Sequence, residues 1–345
     1  MTRRYFACAA CGAKQVPWDA WAGMLDNRSL TPPARRMVTL AGTSWPFDRA
    51  EAHLLELCHV RVSDDTIERV CQEEAARVRT WMEESPEPVE SFQQARGLPE
   101  FSSDGVKINT VNGWREMRLS VLAKREPTMP AGPEEWDRRV LNEPTAKLAS
   151  CMIAGCDRVG ASWRRLSKRA GLEGSAELSV IADGAKWIWD QASKRLSKQA
   201  KWCVDVFHVS RHLHDCGKAI FGEGRQARAW ADDHLMHALR HNGVGLLQRL
   251  ATERATTSDA HHLRAIDRLS SYLNDNRDSL WYRQRLGEGL PIGSGLIEGA
   301  CKNTIGSRLK ANSARWRIRR AERIGTLRCL DYSGQWDAYW QSKAA

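Results

Sequence analysis

The chain is predicted to be an α/β protein, with a core of strands and helices interrupted by an all-helical insertion and preceded by a mainly helical region. Three observations predict this. The segment FSSDGVKINT-VNGW-REMRLSVLAKRE reads as a β-hairpin, because Asn112-Gly113 is a strong turn signal between two strand-like runs. Short β-branched runs then alternate with helical stretches up to about residue 208. From about 209 to 287 the pattern is helical, polar and rich in His and Arg, with no strand signal.

Each element has its own reason. In FDRAEAHLLELCHV, Phe47, Ala50, Leu54 and Leu57 fall at helical spacing. Ser63 is placed to cap the helix that follows, and Asp64 and Asp65 suit its first turn. The helix–VRVS–helix segment has the layout of a helix-turn-helix. Against that reading, Asp64, Asp65 and Glu68 would repel phosphates, so packing or dimerisation is an equal alternative. ESPEPVESFQQARGLPE, with three prolines and several acids, is expected to be a linker. DRVGASWRRLSKRAGL reads as a helix and ELSVIADG as a buried strand; WIWDQASKRL reads as a helix and KWCVDVFHV as a strand. Helix returns from about 294 to 328. The resulting order is β-hairpin, strand, helix, strand, helix, strand, helical block, helix. It divides the chain into 1–95, 96–208, 209–287 and 288–345.

The 345 residues carry a net charge of +10, and a basic balance of this size favours a polyanionic partner. No apolar run is long enough to span a membrane, and MTRRYFACAACG lacks the apolar segment of a signal peptide. The ten cysteines are mostly scattered singly, the pattern of reduced thiols in a cytoplasm.

Three acids stand out. Asp104 and Asp183 each lie at or near the end of a β-branched run and precede a Gly; Glu298 lies about one turn into the helix that follows Gly293-Ser294-Gly295. An Asp-Gly pair is by itself an ordinary turn signal, and a lone helical Glu is ordinarily a solvated one. Together they could hold divalent cations for phosphodiester chemistry, because Mg²⁺ prefers carboxylate oxygens. Behind Glu298, residues 301–328 contain nine Lys or Arg and one acid, Glu322. Solvated faces normally mix their charges, whereas this stretch is one-sided. Arg308, Lys310, Arg315, Arg317, Arg319 and Arg320, with Trp316 among them, are the candidate contacts to a phosphate backbone.

Read together, DGVKINT, IADGAKWIWD, DVFHVSRHLHD and GSGLIEGACKNTIGSRLK followed by ARWRIRRAE resemble a DDE transposase of bacterial insertion sequences, of the ISKra type with a Mutator-like plan. The resemblance covers almost the whole chain. It implies an RNase H-like catalytic core, a mixed sheet with helices, in which Asp104, Asp183 and Glu298 hold two Mg²⁺ or Mn²⁺ ions and residues 209–287 form the insertion. It also implies end cleavage and strand transfer on double-stranded DNA, a homo-oligomer in the active complex, and a cytoplasmic, nucleoid-associated location. His208, three residues after Asp205, matches an acid-x-x-His element; it would bond the scissile phosphate or orient an acid, or else cap the strand as a core histidine. Trp187 and Trp189 are read as core, with base stacking as the alternative. Cys8 and Cys11 resemble one knuckle of a zinc ribbon, but structural zinc wants four ligands and the chain starts too near Cys8 to supply a second pair upstream. The rival readings are a DNA-binding derivative without catalysis and a stand-alone nuclease.

Overall fold

In the computed structural model, which describes residues 6–21, 24, 30–310 and 314–343, the chain opens with β1 (Phe6–Ala7) paired to β2 (Lys14–Gln15), then α1 (Pro17–Trp21). Three longer helices follow, α2 (Pro32–Ser44), α3 (Phe47–Cys58) and α4 (Asp64–Glu84). Ser63 caps α4 as its position predicts, its hydroxyl accepting from the Thr66 amide at 3.4 Å. The buried stripe of α4, including Ile67, Val70, Cys71, Ala75 and Val78, faces the core, whereas Leu57 of α3 points to solvent. The predicted linker is instead a helix, α5 (Glu87–Gln94), because Val89 and Phe92 share a face that buries against the sheet.

The hairpin is long and fully paired. β3 (Leu98–Thr110) and β4 (Gly113–Arg125) run in continuous register from Leu98↔Arg125 to Thr110↔Gly113. Gly113 has φ +83°, the left-handed backbone that glycine adopts without cost. Next come β5 (Ala146–Met152), α6 (Cys156–Arg169), β6 (Ser179–Ala182), α7 (Lys186–Arg195) and β7 (Lys201–Val204). The sheet order is β5-β4-β3-β6-β7, antiparallel from β5 to β3 and parallel from β3 through β6 to β7. The protein is therefore α/β with a mixed five-stranded sheet. Val180 and Ala182 of β6 bury on one face with α5, α6 and α7, while Ile181 buries on the other.

The strand expected over KWCVDVFHV stops at Val204. Asp205 caps α8 (Val206–Phe221), its carboxylate accepting from the Phe207 amide at 2.7 Å, so His208 lies in the helix's first turn. α9 (Arg225–Thr256), α10 (Ala260–Asp275) and α11 (Tyr282–Gly287) continue the helical block, with a kink in α9 at Asn242. Its core includes Ile181, Cys203 and Ile292, so these helices pack on the sheet as well as on one another. The helix expected from 294 to 328 is interrupted. α12 (Gly295–Ala300) passes into a π-helical segment (Cys301–Gly306) and α13 (Ser307–Leu309). Trp316 then bridges Thr110 before α14 (Ile318–Tyr332) and α15 (Trp336–Gln341). Burial of the Trp316 indole, whose N–H donates to the Leu309 carbonyl at 3.0 Å, holds this break. No helix among the described residues is long and apolar enough to cross a membrane.

Candidate active site

Register brings the acids together. β3 pairs β6 through Phe101↔Val180, and β6 pairs β7 through Ala182↔Val204. Asp183 and Asp205 directly follow the last residues of β6 and β7, and Asp104 lies three positions beyond the last β3 residue paired with β6, so the three follow the paired parts of neighbouring strands. Their even spacing puts them on the face that carries Ile181 and Cys203, since side chains alternate along a strand. α12 supplies Glu298 from the same side.

Asp205 is the hub of this arrangement and is fully buried. It accepts from the Phe207 amide, from the Ser294 hydroxyl, and from His208 Nδ1 at 3.3 Å. Burial alone would push its carboxyl up, yet the bonds from His208, Ser294 and the Phe207 amide hold it below the ordinary value. The Ser294 hydroxyl also lies 3.4 Å from a Glu298 oxygen, tying α12 to the end of β7. The Asp205 hydrogen bond raises the His208 pKa despite partial burial, with added attraction from Asp205 and Asp183. Asp104 behaves differently. Burial lifts its carboxyl, and repulsion from Asp183 and Glu298 adds to this against the bond it accepts from the Gly105 amide. The Asp183 side chain accepts from the Ala185 amide at 2.8 Å, and Gly184 turns the chain at φ +89°. From the helical block, the Tyr272 hydroxyl donates to the Asp183 carbonyl at 3.3 Å.

Among the described residues, ligand atoms within 4.8 Å of one another belong to Asp205, His208 and Glu298. Asp104 and Asp183 stand beside this set. The three ligands within one ion's reach are thus two carboxylates and an imidazole, while Asp104 and Asp183, expected to share the ion with Glu298, fall outside that group and act on it electrostatically. Burial and repulsion keep the Asp104 carboxyl raised despite the Gly105 amide and His208, and a cation nearby would relieve this. Ser294 and Tyr272 were given no role from the sequence, and Asp205 entered only as the acid of the acid-x-x-His element, not as a metal ligand. The usable signal was the Asp-x-x-His spacing, because a buried helix cap three residues before a His can orient its ring.

Two members of the basic stretch are structural. Arg308 is 3% exposed, donates twice to the Gly42 carbonyl at 3.2 Å, and lies over the Phe47 and Trp316 rings. Trp316 is buried with it, so neither reaches a phosphate. Both were expected at a DNA surface, and core packing claims them instead. Lys310, Arg315, Arg317, Arg319 and Arg320 are exposed. Arg320 pairs with Glu68 of α4 at 2.7 Å, a neutralising partner not apparent from the local sequence, and Glu322 accepts from the Ile153 amide.

Trp187 lies beside Trp163 and under Arg118, while the Trp189 indole donates to Asn276 at 2.8 Å. Both are half-buried and packed against the core clusters. Cys8 and Cys11 are exposed at the β1–β2 turn, where bonds from the Cys11 and Ala10 backbone push the Cys8 thiol down. No protein-family model and no curated protein matches this chain.

Proposed function

We propose that the protein is a metal-dependent DNA transposase with an RNase H-like core, cleaving element ends and joining them to target DNA. The observation that carries this reading is the cluster of Asp205, His208 and Glu298 at the end of the parallel strands, with Asp104 and Asp183 on the neighbouring strands. A sheet whose first three strands are antiparallel, and whose last two run parallel to the first, supports the core that the sequence resemblance implies. Asp104, Asp183 and Glu298, with Asp205 beside them, would hold Mg²⁺ or Mn²⁺. Such ions, when bound, activate an attacking oxygen and offset phosphate charge. Asp205 fixes the His208 ring, and the imidazolium N–H left free by that bond can donate to a phosphate oxygen. Ser294 keeps Glu298 beside Asp205. The exposed Arg315, Arg317 and Arg319 hold the backbone of double-stranded DNA, and a homo-oligomer would bring two ends together.

A strand-transfer assay on the element's own ends with Mg²⁺ tests this. Asp104→Asn, Asp183→Asn and Glu298→Gln are each expected to lower cleavage and joining by at least a hundredfold while DNA binding persists. Near wild-type joining by any one variant removes that residue from the site. Nicking without joining would leave a nuclease, and binding without nicking a DNA-binding derivative.

A further inference from the structure

The β3–β4 hairpin continues well past the sheet that carries the acids. β6 pairs only with Glu100 and Phe101, and β5 only with residues 118–124, so residues 105–117 extend beyond both neighbours. One face of this extension is buried through Ile108 and Met117. Its outer edge is closed by the segment after α13. The Val111 amide donates to the Trp316 carbonyl and the Trp316 amide to the Asn109 carbonyl, both at 3.0 Å. This is a parallel bridge centred on Thr110 and Trp316.

Alternation then fixes what the second face carries. Trp316 points inward, so Arg315 and Arg317 point outward, level with Asn109 and Val111. Across the hairpin, Asn109 pairs with Trp114. One face therefore presents Trp114 (63% exposed) and Val111 (48% exposed) flanked by two exposed guanidiniums. Glu116, two positions from Trp114 on this face, is paired with Arg118 at 2.9 Å, and among the described residues neither Arg315 nor Arg317 makes an ion pair. An indole left mostly in water at a hairpin tip adds little burial to the fold. Set beside two guanidiniums that make no ion pair, it matches a surface on which phosphates flank a stack of bases.

We propose that this tip is a separate DNA-contacting element, in which Arg315 and Arg317 hold phosphates while Trp114 inserts against a base step of double-stranded DNA. The proposal rests on the transposase reading for its ligand class. Asp104 and Val111 are seven positions apart, roughly 23 Å of strand, so the contact falls within about one helical turn of duplex from the carboxylates. Alternation also turns the Trp114 face away from Asp104, so the tip binds DNA without entering the chemistry.

The experiment measures binding of the full chain to element-end duplexes carrying 2-aminopurine at successive positions across that first turn. The wild-type protein is expected to change the fluorescence at one or two adjacent positions. Trp114→Ala should abolish that change and weaken binding about tenfold, while Trp114→Phe restores most of both. Arg315→Gln with Arg317→Gln should flatten the slope of log affinity against log salt by about one to two units. Affinity within about twofold of wild type for Trp114→Ala, or an unchanged 2-aminopurine signal, overturns the proposal. If the wild-type chain does not bind duplex DNA at all, the transposase reading falls with it.

Discussion

Arg308 illustrates how residue type and residue role separate. It sits in a run of cations, yet its guanidinium is spent on the Gly42 carbonyl and on two aromatic faces. Burial pushes its pKa down to about 10, which still leaves it charged at neutral pH. A buried charge held this way contributes through packing and hydrogen bonding together. Arg308→Ala should therefore lower stability by about 2–4 kcal/mol, because it leaves the Gly42 carbonyl unpaired and opens a cavity beside Phe47 and Trp316. Arg308→Met should cost less by keeping the volume. Urea denaturation reads the loss, and a full-length wild-type midpoint for Arg308→Ala would return this residue to the surface.

At the scale of elements, one buried carboxylate ties three helices together. Glu74 of α4 is fully buried and pairs with Arg35 of α2 at 2.5 Å and Arg77 at 2.8 Å. It also accepts from the Tyr339 hydroxyl of α15 at 2.7 Å and is paired with Lys343. Burial alone would raise its pKa, but the bonds from Lys343, Tyr339 and Arg35 hold it below the ordinary 4.5. A depressed folded value means that the unfolded chain binds the proton more tightly. The stabilisation is thus complete above pH 4.5 and is lost as the pH falls through the lower folded value. Removing one partner of a buried network costs about 3–5 kcal/mol, so Glu74→Gln should be destabilised by that order at pH 7. It should also lose less further stability than wild type on acidification below pH 4.5. Thermal melts at several pH values check both, and parallel acid profiles would show that other carboxylates dominate.

For the whole molecule, the decisive event is convergence. Asp104, Asp183, Asp205 and Glu298 come from four separate segments and meet where the parallel strands end. That arrangement costs stability, because burial first and repulsion from Asp183 and Glu298 second raise the Asp104 carboxyl. Mg²⁺ or Mn²⁺ should therefore raise the melting temperature, by the equivalent of about 2.7 kcal/mol at a hundredfold excess over Kd. Asp104→Asn combined with Asp183→Asn should abolish that response. Without added cation, the same variant should be at least as stable as wild type, because a buried charge and its repulsion have been removed. Calorimetry with and without cation decides it; an equal response in the variant would place the ion elsewhere.

Much of this was legible in the sequence because the controlling forces are local. Asn112-Gly113 needs only backbone sterics to close the hairpin, Ser63 needs only a neighbouring amide to cap α4, and Asp183 sits before its own Gly184 turn. The order of strands and helices follows from side-chain periodicity in the same way. Tertiary structure decided the rest, because it depends on partners distant in the chain. The proline-marked segment became α5 once the sheet offered Val89 and Phe92 a surface to bury against. Trp316 left a helical pattern because its indole and backbone are satisfied beside Thr110. Arg320 met Glu68 from a helix some 250 positions earlier. Asp205 became the hub of the site only where Ser294, 89 residues away, could reach it. Local sterics fix which residues turn, cap and alternate; long-range desolvation fixes which charges are buried, paired or left facing water.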